Sequence, residues 1–156
     1  MKTDAEFSKC RKYRYALWRT WDVSKPGAMF IGLNPATADE NDNDNTVSRC
    51  ISYAEDWGYG GLIMANIFAF CTKNPDVMKA AKDPVGPEND RWLKQLYPDA
   101  GIVIAAWGND GAYLARSKEV VEMFPDLKCL KVNVTGEPAH PLYQPRVAIP
   151  VEYRVE

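Results

Sequence analysis

Four short stretches of almost unbroken apolar residues constrain this chain more than any other feature. Residues 28–33 read Ala28-Met29-Phe30-Ile31-Gly32-Leu33. Residues 62–65 read Leu62-Ile63-Met64-Ala65, residues 102–106 read Ile102-Val103-Ile104-Ala105-Ala106, and residues 127–134 form a fourth, looser run. Runs this short, without polar alternation, suit strands buried on both faces. Segments of helical spacing separate them. Val47, Cys50, Ile51, Ala54 and Trp57 recur at helical intervals before Gly58, with Asn45 or Thr46 as candidate cap. Trp92, Leu93, Leu96 and Tyr97 follow Pro87. Residues 110–124 read as a third helix with Leu114, Val120, Val121 and Phe124 inward. Strands alternating with helices predict an α/β fold: three α/β/α layers around a central four-stranded, mostly parallel sheet. The aromatic-rich residues 13–22 suit a further strand or strand pair. At 156 residues the chain reads as a single domain, 1–156, with no repeat or linker.

Composition narrows the class. Hydrophobic residues make up 46% and charged residues 26%, which is ordinary for a globular protein. The net charge of −2 removes the argument for non-specific nucleic-acid binding that a basic chain would offer. A local basic patch remains, because Lys9, Arg11, Lys12, Arg14 and Arg19 crowd the first twenty residues. Arg11, Lys12 and Arg14 are candidate phosphate contacts, and a plain solvated face is the alternative. The four cysteines, Cys10, Cys50, Cys71 and Cys129, lack the close spacing of a zinc ribbon or a redox pair, so reduced thiols are expected. Neither a signal peptide nor a membrane span is visible, so the expected compartment is the cytoplasm and no membrane partner is expected.

Ligands in open α/β sheets bind beyond the carboxyl ends of the strands. Here those ends carry Asn34-Pro35, Asn66, Trp107-Gly108 and, further on, His140-Pro141. Asn34 could hold a water through its amide or cap a turn. Asn66 could pair with the edge of a nucleobase or fix its own loop. His140, the only histidine, could donate to a developing anion or be structural. Asp39 and Asp44 are candidate helper carboxylates, and Asp44 could equally cap the following helix. With Asp42 they lack the central glycine and terminal glutamate of a calcium loop, so no metal is expected. Glycine-rich phosphate motifs, a nucleophile elbow and paired cysteines are all missing, and no cofactor is expected.

The motifs Gly32-Leu33-Asn34-Pro35-Ala36-Thr37-Ala38-Asp39, Trp57-Gly58-Tyr59, Asn66, Asp83-Pro84-Val85-Gly86-Pro87-Glu88-Asn89-Asp90, Trp107-Gly108 and His140-Pro141-Leu142-Tyr143 resemble a bacterial and phage family of unknown function. More distantly, their order resembles the uracil-DNA glycosylase superfamily. There a strand ends in a Gly-x-x-Pro loop bearing the water-activating residue, similar to Gly32-Leu33-Asn34-Pro35. A later strand ends in an asparagine that reads the base, similar to Asn66, and a final loop reads His-Pro-Ser, similar to His140-Pro141-Leu142. That resemblance implies a uracil-DNA glycosylase-like fold and hydrolysis of an N-glycosidic bond. It casts Asn34 and His140 as catalytic. It casts Asn66, Gly32, Pro35 and Phe68 as base-binding, with Phe68 or Phe70 stacking on an extruded base. Leu142-Tyr143 stands where that superfamily has a serine pinching the DNA backbone, and the close cysteine pair of its iron–sulfur branch is missing.

Three functions follow as expectations. The first is a glycosylase-like hydrolase acting on a damaged or modified base in DNA, single-stranded DNA included, or on a nucleotide. The second is a non-catalytic base- or nucleotide-binding module. The third is an interaction domain docking a partner through exposed aromatics near residues 13–21, such as Trp18 and Trp21.

Overall fold

The computed structural model describes residues 1–153. Seven strands form one sheet: β1 (Lys2–Phe7), β2 (Arg14–Thr20), β3 (Gly27–Gly32), β4 (Gly61–Asn66), β5 (Ala100–Ala105), β6 (Lys128–Cys129) and β7 (Val151–Glu152). Their spatial order is β1-β2-β4-β3-β5-β6-β7. The expected four-stranded sheet is therefore only the middle of a larger and less parallel one. β4, β3, β5 and β6 run parallel, while β1, β2 and β7 add antiparallel flanks.

Helices cover both faces. α1 (Asn45–Asp56) closes one core with Phe30, Leu62 and Met64. α2 (Pro75–Ala80), α3 (Asn89–Leu96) and α4 (Arg116–Met123) close the other with Met29, Ile31, Ile63 and Val103. The layered α/β arrangement follows from strands that are apolar on both faces. The cap of α1 is Asp44 rather than Asn45 or Thr46: its Oδ1 accepts from the Val47 N–H at 2.9 Å.

Two expected elements are broken. The helix expected over 110–124 is only α4, preceded by a 3₁₀ turn over Asn109–Ala115. Gly111 packs so tightly on the Trp107 ring that a Cβ there would lie 2.1 Å from its Cδ1. Leu114 and Ala115 then turn left-handed, which leaves Leu114 59% exposed instead of inward. The strand expected over 127–134 pairs only at Lys128–Cys129. Beyond it the chain doubles back, with Val132 bridged to Pro138, and Val132 and Val134 face outward.

Residues 144–148 are tied to α1. Trp57 Nε1 donates to Ala148 O at 2.8 Å, Tyr53 Oη donates to Pro145 O, and Arg49 donates to Gln144 O at 2.9 Å. The segment thus straps α1 before β7 covers the edge of β6. Cys50 and Cys129 are buried, Cys71 is half-buried and Cys10 is exposed, all as free thiols. No helix among the described residues is long and apolar enough to cross a membrane.

Candidate active site

Parallel pairing sets Gly32, at the end of β3, directly beside Asn66, at the end of β4. The two are interlocked: a Cβ on Gly32 would lie 2.8 Å from Asn66 Nδ2 and 3.0 Å from Met64 Cε. Glycine is required here by close approach. Asn66 is 2% exposed. Its backbone carbonyl accepts from Asn89 Nδ2 at 2.9 Å, and the same amide donates to Ile67 O at 3.1 Å, which pins the strand end from the α3 side.

Arg14 reaches this place through a β-bulge. Glu6 pairs with Ala16 and Phe7 with Arg14, so Tyr15 is the extra residue in β2. A bulge reverses the inside–outside alternation. Tyr15 packs beside Tyr13 and Gly86, while Arg14 turns to the α1 side, where Leu17 also lies. Arg14 is 2% exposed and carries no ion-pair partner among the described residues. It donates to Ala38 O at 3.1 Å and to Asn66 Oδ1 at 3.3 Å, and its Nε has no acceptor. Burial pushes its pKa down to about 10, with Asp44 opposing, so it stays charged at neutral pH. The expected surface patch of Arg11, Lys12 and Arg14 is therefore corrected. Arg11 is exposed and paired with Glu40 at 2.8 Å, Lys12 is exposed, and Arg14 is inside.

Asn34 anchors the loop after β3. Its Nδ2 faces three carbonyls, donating to Thr72 O at 2.8 Å, Pro35 O at 3.2 Å and Phe70 O at 3.4 Å. Those acceptors fix the amide's orientation and leave Oδ1 without a partner among the described residues. Asn66 is oriented the same way: its Oδ1 faces Arg14, so its Nδ2 is the group left free. His140 Nδ1 accepts from the Leu142 N–H at 3.2 Å, which places the proton of the neutral ring on Nε2. Burial lowers the His140 pKa from its usual value, with Asp44 opposing, and favours that neutral, donor form.

Asn34, Asn66, His140, Gly32, Pro35 and Arg14 all line one well of about 40 Å³. It adjoins a cleft of about 480 Å³, with which it shares walls at Leu33, Asn34, Ala36, Thr46 and His140. The well has room for about three waters. The cleft is the size of a small-ligand site. Trp107, Gly108 and Tyr143 line it further out. A larger groove of about 900 Å³ lies between α4 and residues 132–137, lined in part by Ser117 and Glu137. The carboxylate of Glu137 is satisfied there by Trp107 Nε1 at 3.2 Å and Ser117 Oγ at 3.0 Å. The groove brings no unmet buried polar group, and the well does.

The remaining expected residues divide. Phe68 cannot stack on a base: it is wholly buried in the α3/α4 core, 6.0 Å from the Tyr113 ring. Phe70 packs edge-on against Tyr13, outside the cleft wall. Of the two aromatics lining the cleft, Trp107 is buried and Tyr143 is 85% exposed, 5.6 Å from the His140 ring. Only the place of Tyr143 two residues after the His140-Pro141 motif marks it in the sequence. Asp39 turns its carboxylate to the Asn41 and Asp42 N–H groups, away from the well. Asp44 lines the well, but its two oxygens accept from Val47 N at 2.9 Å and Ala38 N at 3.3 Å. The expected exposed aromatic patch at 13–21 is also absent. Trp18 packs edge-on to Trp92, and Trp21 Nε1 donates to Tyr59 O at 3.0 Å.

A family model described as "Protein of unknown function (DUF1643)" matches residues 14–142, a span containing every residue of the well. No curated protein and no solved structure matches the chain.

Proposed function

The chain belongs to this family of unknown function, and from the chemistry of its own site we propose that it is an N-glycosidic hydrolase acting on a base in DNA or on a nucleotide. One observation carries the reading: Asn34 Oδ1, Asn66 Nδ2 and the Nε2–H of His140 line a single well without partners among the described residues. An acceptor, an amide donor and a neutral imidazole donor are what this hydrolysis needs.

The roles follow from those valences. A water held by Asn34 Oδ1 adds its oxygen to the anomeric carbon of the sugar. The glycosidic bond breaks, its electron pair leaves with the base, and the water's proton finally resides on that base. An amide oxygen is too weak a base to take this proton early, so bond breaking runs ahead of water attack and the sugar becomes cationic. The base, leaving as an anion, is stabilised by Asn66 Nδ2 and His140 Nε2–H, donors already oriented before charge develops. A flipped base or a free nucleotide occupies the cleft with one edge at the mouth of the well, and Tyr143 offers its ring for stacking.

The test is a base-release assay with single- and double-stranded oligonucleotides and free nucleotides carrying uracil, hypoxanthine or xanthine. Release strongly lowered in both Asn34→Ala and His140→Ala is the expected result. A folded protein that binds bases but releases none would favour the binding-module reading, which the narrowness of the well and the lack of a free carboxylate also suit.

A further inference from the structure

Arg14 is a buried charge that the hydrolysis leaves unused. A guanidinium carries five N–H donors and no acceptor. Arg14, 2% exposed, spends two of them, on a neutral carbonyl and a neutral amide oxygen, and its Nε meets no acceptor among the described residues. A cation taken out of water without a counter-charge is ordinarily avoided. The nearest carboxylate, Asp44, lies on the same wall but turns both oxygens to backbone N–H groups, and no ion pair joins it to Arg14. Further donors line the same well, alongside the acceptor Asn34 Oδ1. Asn66 Nδ2 is free among the described residues, and α1, twelve residues long, begins at the well with Thr46 on its wall, the Val47 N–H being already held by Asp44 Oδ1. Helix N-termini attract negative charge. The bulge at Tyr15 exists in β2 at the residue next to Arg14, and it is what aims this side chain inward.

We propose that the well is a binding site for one anionic oxygen group, of the size of a phosphate or carboxylate, held by Arg14 together with Asn66 and the first turn of α1. The well's volume of about 40 Å³ suits one such group and excludes a whole base. The larger remainder of the ligand lies in the adjoining cleft. Anion binding at the well stands whether or not the protein cleaves anything. Two sources supply this chemistry: the phosphate of a nucleotide, or the anionic oxygen of a base as it departs.

The experiment is a titration of the wild-type protein with inorganic phosphate against sodium chloride of matched ionic strength, followed by amide NMR and calorimetry. The expected result is saturable binding that shifts the Asn66 side-chain amide and the Thr46 backbone amide. Arg14→Met should bind phosphate about ten- to a hundredfold more weakly, as expected when one charge-assisted hydrogen bond is removed. Arg11→Gln, at an exposed arginine outside the well, should bind as wild type does. No shift at these amides in the wild type overturns the proposal, and that arm does not depend on any variant folding. Equal binding by Arg14→Met overturns it as well. A nucleoside 5′-monophosphate that binds more tightly than phosphate and competes with it identifies a nucleotide phosphate as the source. Competition by free xanthine, an acidic base, without competition by the nucleotide identifies the base oxygen. Phosphate binding without base release keeps this site and removes the hydrolase reading; base release by a protein that shows no phosphate binding does the reverse.

Discussion

Two arginines on the same strand are equally buried and differently employed. Arg19 is 0% exposed and makes five hydrogen bonds, to Asn43 Oδ1 and to the carbonyls of Asp4, Trp18, Asp39 and Asp42. Every donor of its guanidinium is accounted for. It ties β2 to β1 and to the acidic loop before α1. Arg14 makes two hydrogen bonds and lines the well. Burial of a charge therefore says little by itself; the unmet remainder of its bonding capacity is what separates a structural tie from a binding group.

That contrast can be broken by measurement. The largest effect belongs to Arg19→Met, which leaves the loop carbonyls unpaired and should cost about 3–5 kcal/mol in urea unfolding. Arg14→Met should cost under about 1 kcal/mol, because relief from burying a charge offsets the hydrogen bonds to Ala38 and Asn66 that disappear. Equal costs would erase the distinction. Next come Asn34→Ala and His140→Ala, each expected to lower base release about 10²–10³-fold, with Asn34→Ala alone also loosening the Thr72 contact and lowering the melting temperature. Gly32→Ala drives a methyl into Asn66 Nδ2 and Met64 Cε. It should cost about 1–3 kcal/mol and displace Asn66, seen as loss of base binding in protein that still folds.

The smallest effect is on pH dependence. His140 has a folded pKa below its ordinary 6.5, so the unfolded chain takes up the proton first as pH falls. Its contribution to stability is complete above about pH 6.5 and is lost as pH drops from there toward the lowered folded value. His140→Gln should flatten that part of the stability profile, read as denaturation midpoints at about pH 7.5 and about pH 5.5, either side of the ordinary histidine value. Activity relying on the neutral ring should hold level to below about pH 6.5. An acid limb at or above that value would contradict a neutral donor.

What was legible in the sequence follows from what each element must do. β3, β4 and β5 are buried on both faces and must be apolar throughout, so they announced themselves. So did the face of α1 and the residues closing each strand. β1 is exposed along most of its length and has no apolar side to reveal it. β6 pairs over two residues only, and its continuation turns away at Val132. Phe68 read as a stacking ring because it follows Asn66 closely, yet the chain after β4 carries it into the opposite core. Arg14 read as a surface cation because its neighbours are basic. Only the bulge at Tyr15 reverses it, and a one-residue irregularity in pairing leaves no compositional mark.

The order in which the chain is joined has a consequence for how it matures. The well draws on Arg14 near one end of the chain, on Gly32 to Ala36, on Asp44 to Val47, on Met64 and Asn66, and on His140 near the other. Contacts so distant in sequence close late. A chain synthesised short of His140 lacks part of the set. Ligand binding at this well would therefore report completed folding, lagging behind the recovery of backbone signal by whatever time the last segment needs to dock.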